Sequence, residues 1–145
     1  MSATPPPLAV RRDSISAAAA QAAVSAALAC GAARGVKVVA AVTDPAGDLV
    51  ACVRADGAFA ASVSIARDKA YTAAVFGAST DALCEGVSVR GVLREGIALR
   101  PGVILFGGGL PIVLDGQVIG AIGVSGGSED DDRACATAGL SALGL

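Results

Sequence analysis

The chain contains no histidine. That absence removes the commonest general base and the commonest metal ligand together, so zinc hydrolysis, Ser-His-Asp chemistry and histidine-ligated haem are excluded in their usual forms. Tryptophan is also missing, and three Phe with one Tyr are too few for a base-stacking platform or an aromatic cage. Charge is scarce: charged residues make up 17% of the chain, against about 25% in ordinary domains. The 11 basic and 13 acidic residues leave a net charge of -2, and no Lys/Arg cluster offers the footprint that nucleic acid requires. Nucleic acid is thereby excluded as a partner. Cys30, Cys52, Cys84 and Cys135 lie far apart with no Cys-x-x-Cys pair, which argues against a zinc or dithiol motif and reads as four small core residues.

What the chain has is apolar bulk: 54% hydrophobic residues, with 19 glycines besides. At 145 residues it can take roughly 68–70% of its unfolded surface out of water around one core, so it needs neither disulfide nor metal to fold. With so little charge, apolar area is left over at the surface, and a homo-oligomer is the expected outlet. Residues 1–13, MSATPPPLAVRRD, lack the apolar run of a signal peptide and read as a disordered lead-in to a single domain over 14–145, with a cytoplasmic location as the default. Ser14 to Arg34 is long enough to cross a bilayer. It is mostly alanine interrupted by Ser14, Ser16, Gln21 and Ser25, however, which predicts a soluble helix and no membrane partner.

Along that helix Ala17, Ala20, Val24, Ala27 and Leu28 form one stripe. Val36 to Thr43 and Asp48 to Arg54 read as strands joined by the turn Asp44-Pro45-Ala46-Gly47, in which Asp44 bonds its own turn amides. This hairpin places Asp44, Asp48, Arg54 and Asp56 at one end of the sheet. From Phe59 to Gly77 the spacing predicts a central helix with two apolar faces, one carrying Phe59, Val63, Ala66, Ala70 and Ala73, the other Ile65, Lys69, Thr72 and Phe76. Ser79 caps a short turn, and residues 86–102 have no clean period. Strands follow at Val103–Phe106, Leu110–Leu114 and Gln117–Ser125, the last two joined by the hairpin signal Asp115-Gly116. Ser128, followed by four acids, caps the last helix. The order predicts an α+β domain with a five-stranded, mostly antiparallel sheet flanked by helices.

Three segments, VTDPAGDLVACVRADGAFAAS, IARDKAYTAAVFGAST and FGGGLPIVLDGQVIGAIGVSGGSEDDDRACATAGL, together resemble the GlcG/HbpS-like family of haem-degrading or haem-binding domains. Domains of this kind also occur at the C-terminus of some corrinoid adenosyltransferases. The resemblance implies a profilin-like antiparallel sheet and homo-oligomers. Its functional implication is broad, covering haem-binding sensors, companions of catabolic operons and appended cofactor-binding domains.

Several residues are candidates for a site. Gly107-Gly108-Gly109 permits the torsions of a backbone nest that holds a carboxylate or phosphate, although a bulged hairpin turn explains it as well. Gly126-Gly127 precedes the acid-rich helix start and reads as a structural turn. Lys69, on an apolar stripe, either faces a ligand or forms an ion pair, and Arg67, two residues away on a helix, points about 200° from it. Without histidine, the family's link to haem rests on Tyr71, a cysteine thiolate or Met1 as axial ligand, with Tyr71 foremost. No metal site is expected. The leading reading is an oligomeric binder of a small anion or tetrapyrrole, using Lys69, Tyr71, Arg67 and Gly107–Gly109 in a pocket shared with a neighbouring subunit. The alternatives are a cofactor-free isomerase or lyase with Lys69 or Tyr71 as proton carrier, and a scaffold without ligand.

Overall fold

In the computed structural model, which describes residues 1–145, Ser16 opens the first helix by accepting the Ala19 amide on its hydroxyl. The elements are α1 (Ala17–Ala33), β1 (Val39–Thr43), β2 (Leu49–Arg54), α2 (Ala61–Phe76), α3 (Thr80–Val87), α4 (Gly91–Ala98), β3 (Gly109–Leu114), β4 (Gln117–Ser125) and α5 (Glu129–Ala142). Residues 1–14 contain no helix or strand. No helix is long and apolar enough to cross a membrane.

The sheet has four strands in the order β2-β1-β4-β3, and every pairing is antiparallel. It is one strand short of the five that the sequence predicts. Val103–Phe106 forms no strand because its backbone is caught elsewhere: the Ile104 amide donates to Thr72 Oγ1 at 3.0 Å, on α2, and the Val103 amide to the Arg100 carbonyl. The first strand begins at Val39 rather than Val36. The unassigned stretch 86–102 contains the end of α3 and all of α4. Asp115, at φ 51°, and Gly116, at φ 77°, make the tight β3–β4 turn that their pairing in sequence predicts.

Strand alternation sorts the core into two layers. Ala40, Val42, Ile112, Ile122 and Val124 face one way, joining Ala20, Ala23, Val24 and Ala27 of α1 and Cys135 and Ala136 of α5. Val39 and Ala41 face the other way, against Ala66 of α2, and Ala121 packs with Ala73 and Ala74. Both faces of β1 are thus covered, which is why all five of its residues are buried. Of the four cysteines only Cys135 is buried; Cys30, Cys52 and Cys84 are half-exposed, so the reading of four core cysteines holds for one. The two apolar faces expected of α2 merge into one, because Lys69 and Thr72 are buried alongside Ala66, Ala70 and Ala73. Phe59 lies before the helix and is 69% exposed.

Helix α2 sits against bare backbone. Gly109 and Gly123 are cross-strand partners on β3 and β4. A Cβ on Gly109 would lie 2.6 Å from the Lys69 carbonyl oxygen, and one on Gly123 would collide with the Ala66 carbonyl and the Ala70 amide. Gly123→Ala is therefore expected to destabilise the fold by about 1–3 kcal/mol or more, the cost of overpacking a rigid contact. Gly86→Ala, on α3 where a Cβ meets nothing within 4 Å, should instead stabilise by roughly 0.5–1 kcal/mol. Urea denaturation of the two variants beside the parent checks both signs.

Candidate functional site

The α2 helix carries two sets of polar side chains in opposite directions. Lys69 points into the fold and is 1% exposed. Its Nζ donates to the Val124 carbonyl at 2.8 Å and to Asp132 Oδ2 at 3.0 Å, and it stands 5.1 Å from the centroid of the Phe106 ring. Asp132 accepts on its other oxygen from the Gly127 amide at 3.0 Å. Burial lifts the Asp132 carboxyl above the ordinary carboxylate range, while the Lys69 ammonium and the Gly127 amide restrain the rise.

Gly107–Gly109 lies directly beside Lys69, since a Cβ on Gly108 would be 2.8 Å from its Nζ and 2.7 Å from the Val124 carbonyl. Two of the loop's amides, however, are already engaged within the chain. The Gly107 amide donates to Glu129 Oε1 at 2.7 Å and the Gly109 amide to Thr80 Oγ1 at 3.1 Å, while the Gly108 carbonyl accepts from Val124. A fork from Arg133 to Asp81, with both bonds at 2.8 Å, closes the outside, and a Cβ on Gly107 would meet that guanidinium. The Arg133 hydrogen bonds hold the Asp81 carboxyl below its ordinary range. Lys69 and the three glycines therefore meet as a latch in which Asp132, Glu129 and Thr80 supply the acceptors. Sequence reasoning did not reach those three, although four acids following a Gly-Gly turn were the available signal.

Arg67 and Tyr71, one turn apart on the opposite side of α2, share an open cleft of about 320 Å³ with Gly47, Asp68, Pro101 and Gly102. Two glycines in left-handed conformation border the Tyr71 ring: a Cβ on Gly47, at φ 87°, would reach Cδ2 at 2.5 Å, and one on Gly102, at φ 77°, would reach Cδ1 at 3.1 Å. Each glycine is fixed by a polar clasp. Asp44 accepts the Ala46 and Asp48 amides at 2.9 and 3.0 Å, as the sequence predicts, and Thr72 Oγ1 lies 2.9 Å from the Gly102 carbonyl, to which it can donate. The Tyr71 hydroxyl and the Arg67 guanidinium make no hydrogen bond within the chain. Asp44 and Asp48 lie at the turn end of the β1–β2 hairpin and Arg54 and Asp56 at the other, since Leu49 pairs with Thr43 and Arg54 with Val39. The single-ended cluster expected of these four is not formed. A larger hollow of about 490 Å³ lies between residues 10–13, including Arg11 and Arg12, and the C-terminal part of α2.

Residues 15–141 match the family model described as haem degrading protein HbpS-like. An uncharacterized 15.0 kDa protein of Citrobacter freundii, encoded in the dhaT-dhaS intergenic region, is 40% identical over 109 residues, which are 72% of this chain and 75% of the relative. The crystal structure of Klebsiella pneumoniae protein ORFY superposes with a TM-score of 0.90 at 31% identity, over 98% of this chain and 99% of that one. The structure of a PduOC–haem complex superposes at 0.81 with 28% identity, over 89% and 94%.

The buried pair of Lys69 and Asp132 has a measurable consequence. Lys69→Met leaves Asp132 uncompensated and should cost about 3–5 kcal/mol in urea denaturation, whereas Lys69→Met with Asp132→Leu, which removes both charges, should recover most of that loss.

Proposed function

The chain belongs to the HbpS-like family, and on that premise we propose that it is an oligomeric small-molecule-binding protein whose ligand is a haem-like tetrapyrrole or a smaller carboxylated anion. The observation that carries this reading is the Tyr71 cleft, where an unengaged phenol and an unengaged guanidinium stand one turn apart between two glycines. Those residues suit an iron tetrapyrrole without histidine. A tyrosine oxygen is a known axial donor to haem iron, and a guanidinium pairs with a propionate carboxylate through two parallel hydrogen bonds. Haem bound there would supply a redox-active iron. Tyr71 would hold that group, Arg67 would orient it, and the glycines at 47 and 102 leave its edge unobstructed. Asp68 on the same wall disfavours a second carboxylate on its side, which gives the ligand a preferred orientation.

The cleft is open, with a volume of about 320 Å³, and a second copy of the chain would complete it. Exposed Phe59, Phe76, Val89, Val92, Leu99 and Phe106 provide apolar surface for that association. A four-stranded antiparallel sheet with helices on both sides accords with a profilin-like arrangement over residues 14–145, with 1–13 as a lead-in. Four free cysteines accord with a reducing, cytoplasmic compartment. The enzymatic alternative is weaker, because Lys69 is sealed in its ion pair and only Tyr71 of the two proton carriers reaches the cleft.

Titration with haemin should give a shifted Soret band, and Tyr71→Phe should abolish the shift. Arg67→Ala should weaken binding about tenfold or more, the worth of a charge-assisted hydrogen bond. An unchanged spectrum in Tyr71→Phe assigns the ligand elsewhere. Light scattering coupled to size exclusion should give a multiple of the 13.9 kDa chain mass, and a stable monomer at micromolar concentration excludes the shared pocket.

A further inference from the structure

Helices α1 and α5 pack against each other behind the sheet, and two contacts set their antiparallel register. At one end Arg34 Nε, just beyond α1, donates to Asp131 Oδ1 at 2.8 Å. At the other, a Cβ on Gly139 would lie 3.1 Å from the Ala23 carbonyl oxygen, so the two backbones touch there. Residues 23, 27, 30 and 34 form one stripe at helical spacing, and residues 131, 135 and 139 form another. Between the pinned ends, the two stripes bring Cys135 opposite Ala27 and Cys30. Ala27 and Cys135 are buried in one apolar cluster, and Cys30 packs against it from the half-exposed edge. Ala27 and Gly139 occupy the neighbouring positions of the two stripes, so small residues flank the cysteines.

We propose that Cys30 and Cys135 form a redox pair, which a hydroperoxide converts into a disulfide joining α1 to α5. The half-exposed Cys30 is the sulfur that the oxidant reaches, since Cys135 is buried. In the first step the Cys30 sulfur attacks a peroxide oxygen and the O–O bond breaks. The departing oxygen leaves as water with the thiol's proton, and Cys30 becomes a sulfenic acid. In the second step the Cys135 sulfur attacks that of Cys30, an S–S bond forms, the S–O bond breaks, and the second water carries away the Cys135 proton. Two thiols are oxidised by two electrons and one hydrogen peroxide is reduced to two waters. Burial, followed by the Cys30 neighbour, pushes the Cys135 thiol up to about 12. That makes it a poor attacker on free peroxide and suits it to the second step, where proximity replaces thiolate abundance. Cys52 and Cys84 lie on β2 and α3 and have no part in the pair.

The test uses the reduced full chain, treated with a few equivalents of hydrogen peroxide, alkylated and mapped by non-reducing peptide mass spectrometry. The expected result is a linked Cys30–Cys135 peptide, a thiol titre falling from four to about two, and a thermal midpoint raised by several degrees until dithiothreitol is added. Cys135→Ala should trap a sulfenic acid on Cys30 that dimedone labels, and Cys30→Ser should leave the remaining thiols unlinked. If the Cys135 variant does not fold, the wild-type peptide map still decides. Oxidation confined to Cys52 or Cys84, disulfides only between chains, or four thiols surviving the treatment would each overturn the proposal.

Discussion

The closeness of α2 to the sheet is the constraint on which both polar regions of this molecule depend. Gly109 and Gly123 face each other across β3 and β4 and leave a side-chain-free floor, so the helix backbone from Ala66 to Ala70 rests on strand backbone. Helix-on-sheet packing ordinarily has a layer of side chains between the two. Here Lys69 leaves the helix at the floor itself, and its stem has only to run to the end of β4 to meet the Val124 carbonyl and Asp132. A single methyl in that floor would lift the helix, lengthen the Lys69 bonds and displace the glycine loop together.

Because a helix turns by about 100° per residue, a side chain two positions away from Lys69 must leave on nearly the opposite side. Arg67 and Tyr71 therefore face outward, and the same helix that seals one cation inside the fold presents another beside a phenol. The inward set is engaged: the ammonium has a carbonyl and a carboxylate, and the amides of Gly107 and Gly109 have Glu129 and Thr80. The outward set is framed but unspent, with Gly47 and Gly102 held by Asp44 and Thr72. Polar groups that satisfy one another contribute to a fixed structure, whereas groups held in place with their bonding capacity free are available to a ligand.

Local chemistry was legible in the sequence; contacts between distant segments were not. The caps at Ser79 and Ser128, the Asp44 turn and the Asp115-Gly116 hairpin each depend on a few neighbouring residues, and each forms where the pattern places it. The divergence of Arg67 from Lys69 followed from helix geometry alone. Val103–Phe106 failed as a strand because an apolar, β-branched run says nothing about whether a ladder partner is free, and Thr72 had already taken the Ile104 amide. The glycine triplet lies beside Lys69, and the amides of Gly107 and Gly109 depend on Glu129 and Thr80, which arrive from elements 20 or more residues away in either direction. Of the cleft walls, Gly47 reads as an ordinary turn and Gly102 falls in the stretch without a period, for nothing in such sequences announces that a tyrosine from a different element will lie against them.

The acid run at the start of α5 looks unfavourable in sequence, with four like charges in one turn. In the structure the charges are divided among several partners, with Arg133 shared by Glu129 and Asp130. Glu129 takes the Gly107 amide, Asp130 pairs with Arg133, Asp131 closes the capping box with Ser128 and reaches Arg34, and Asp132 holds Lys69 and the Gly127 amide. One helical turn thereby fastens α5 to the glycine loop, to the buried face of α2 and to the end of α1. Repulsion along the run is offset by the positive end of the helix dipole and by three basic residues drawn from different elements. Any event that shifts α5 against α1 acts on this joint, and through Glu129 and Asp132 it acts on the loop and on α2. The Tyr71 cleft lies on the far side of that same helix, so the link from the α1–α5 layer to the open site runs through packed, hydrogen-bonded elements at every step.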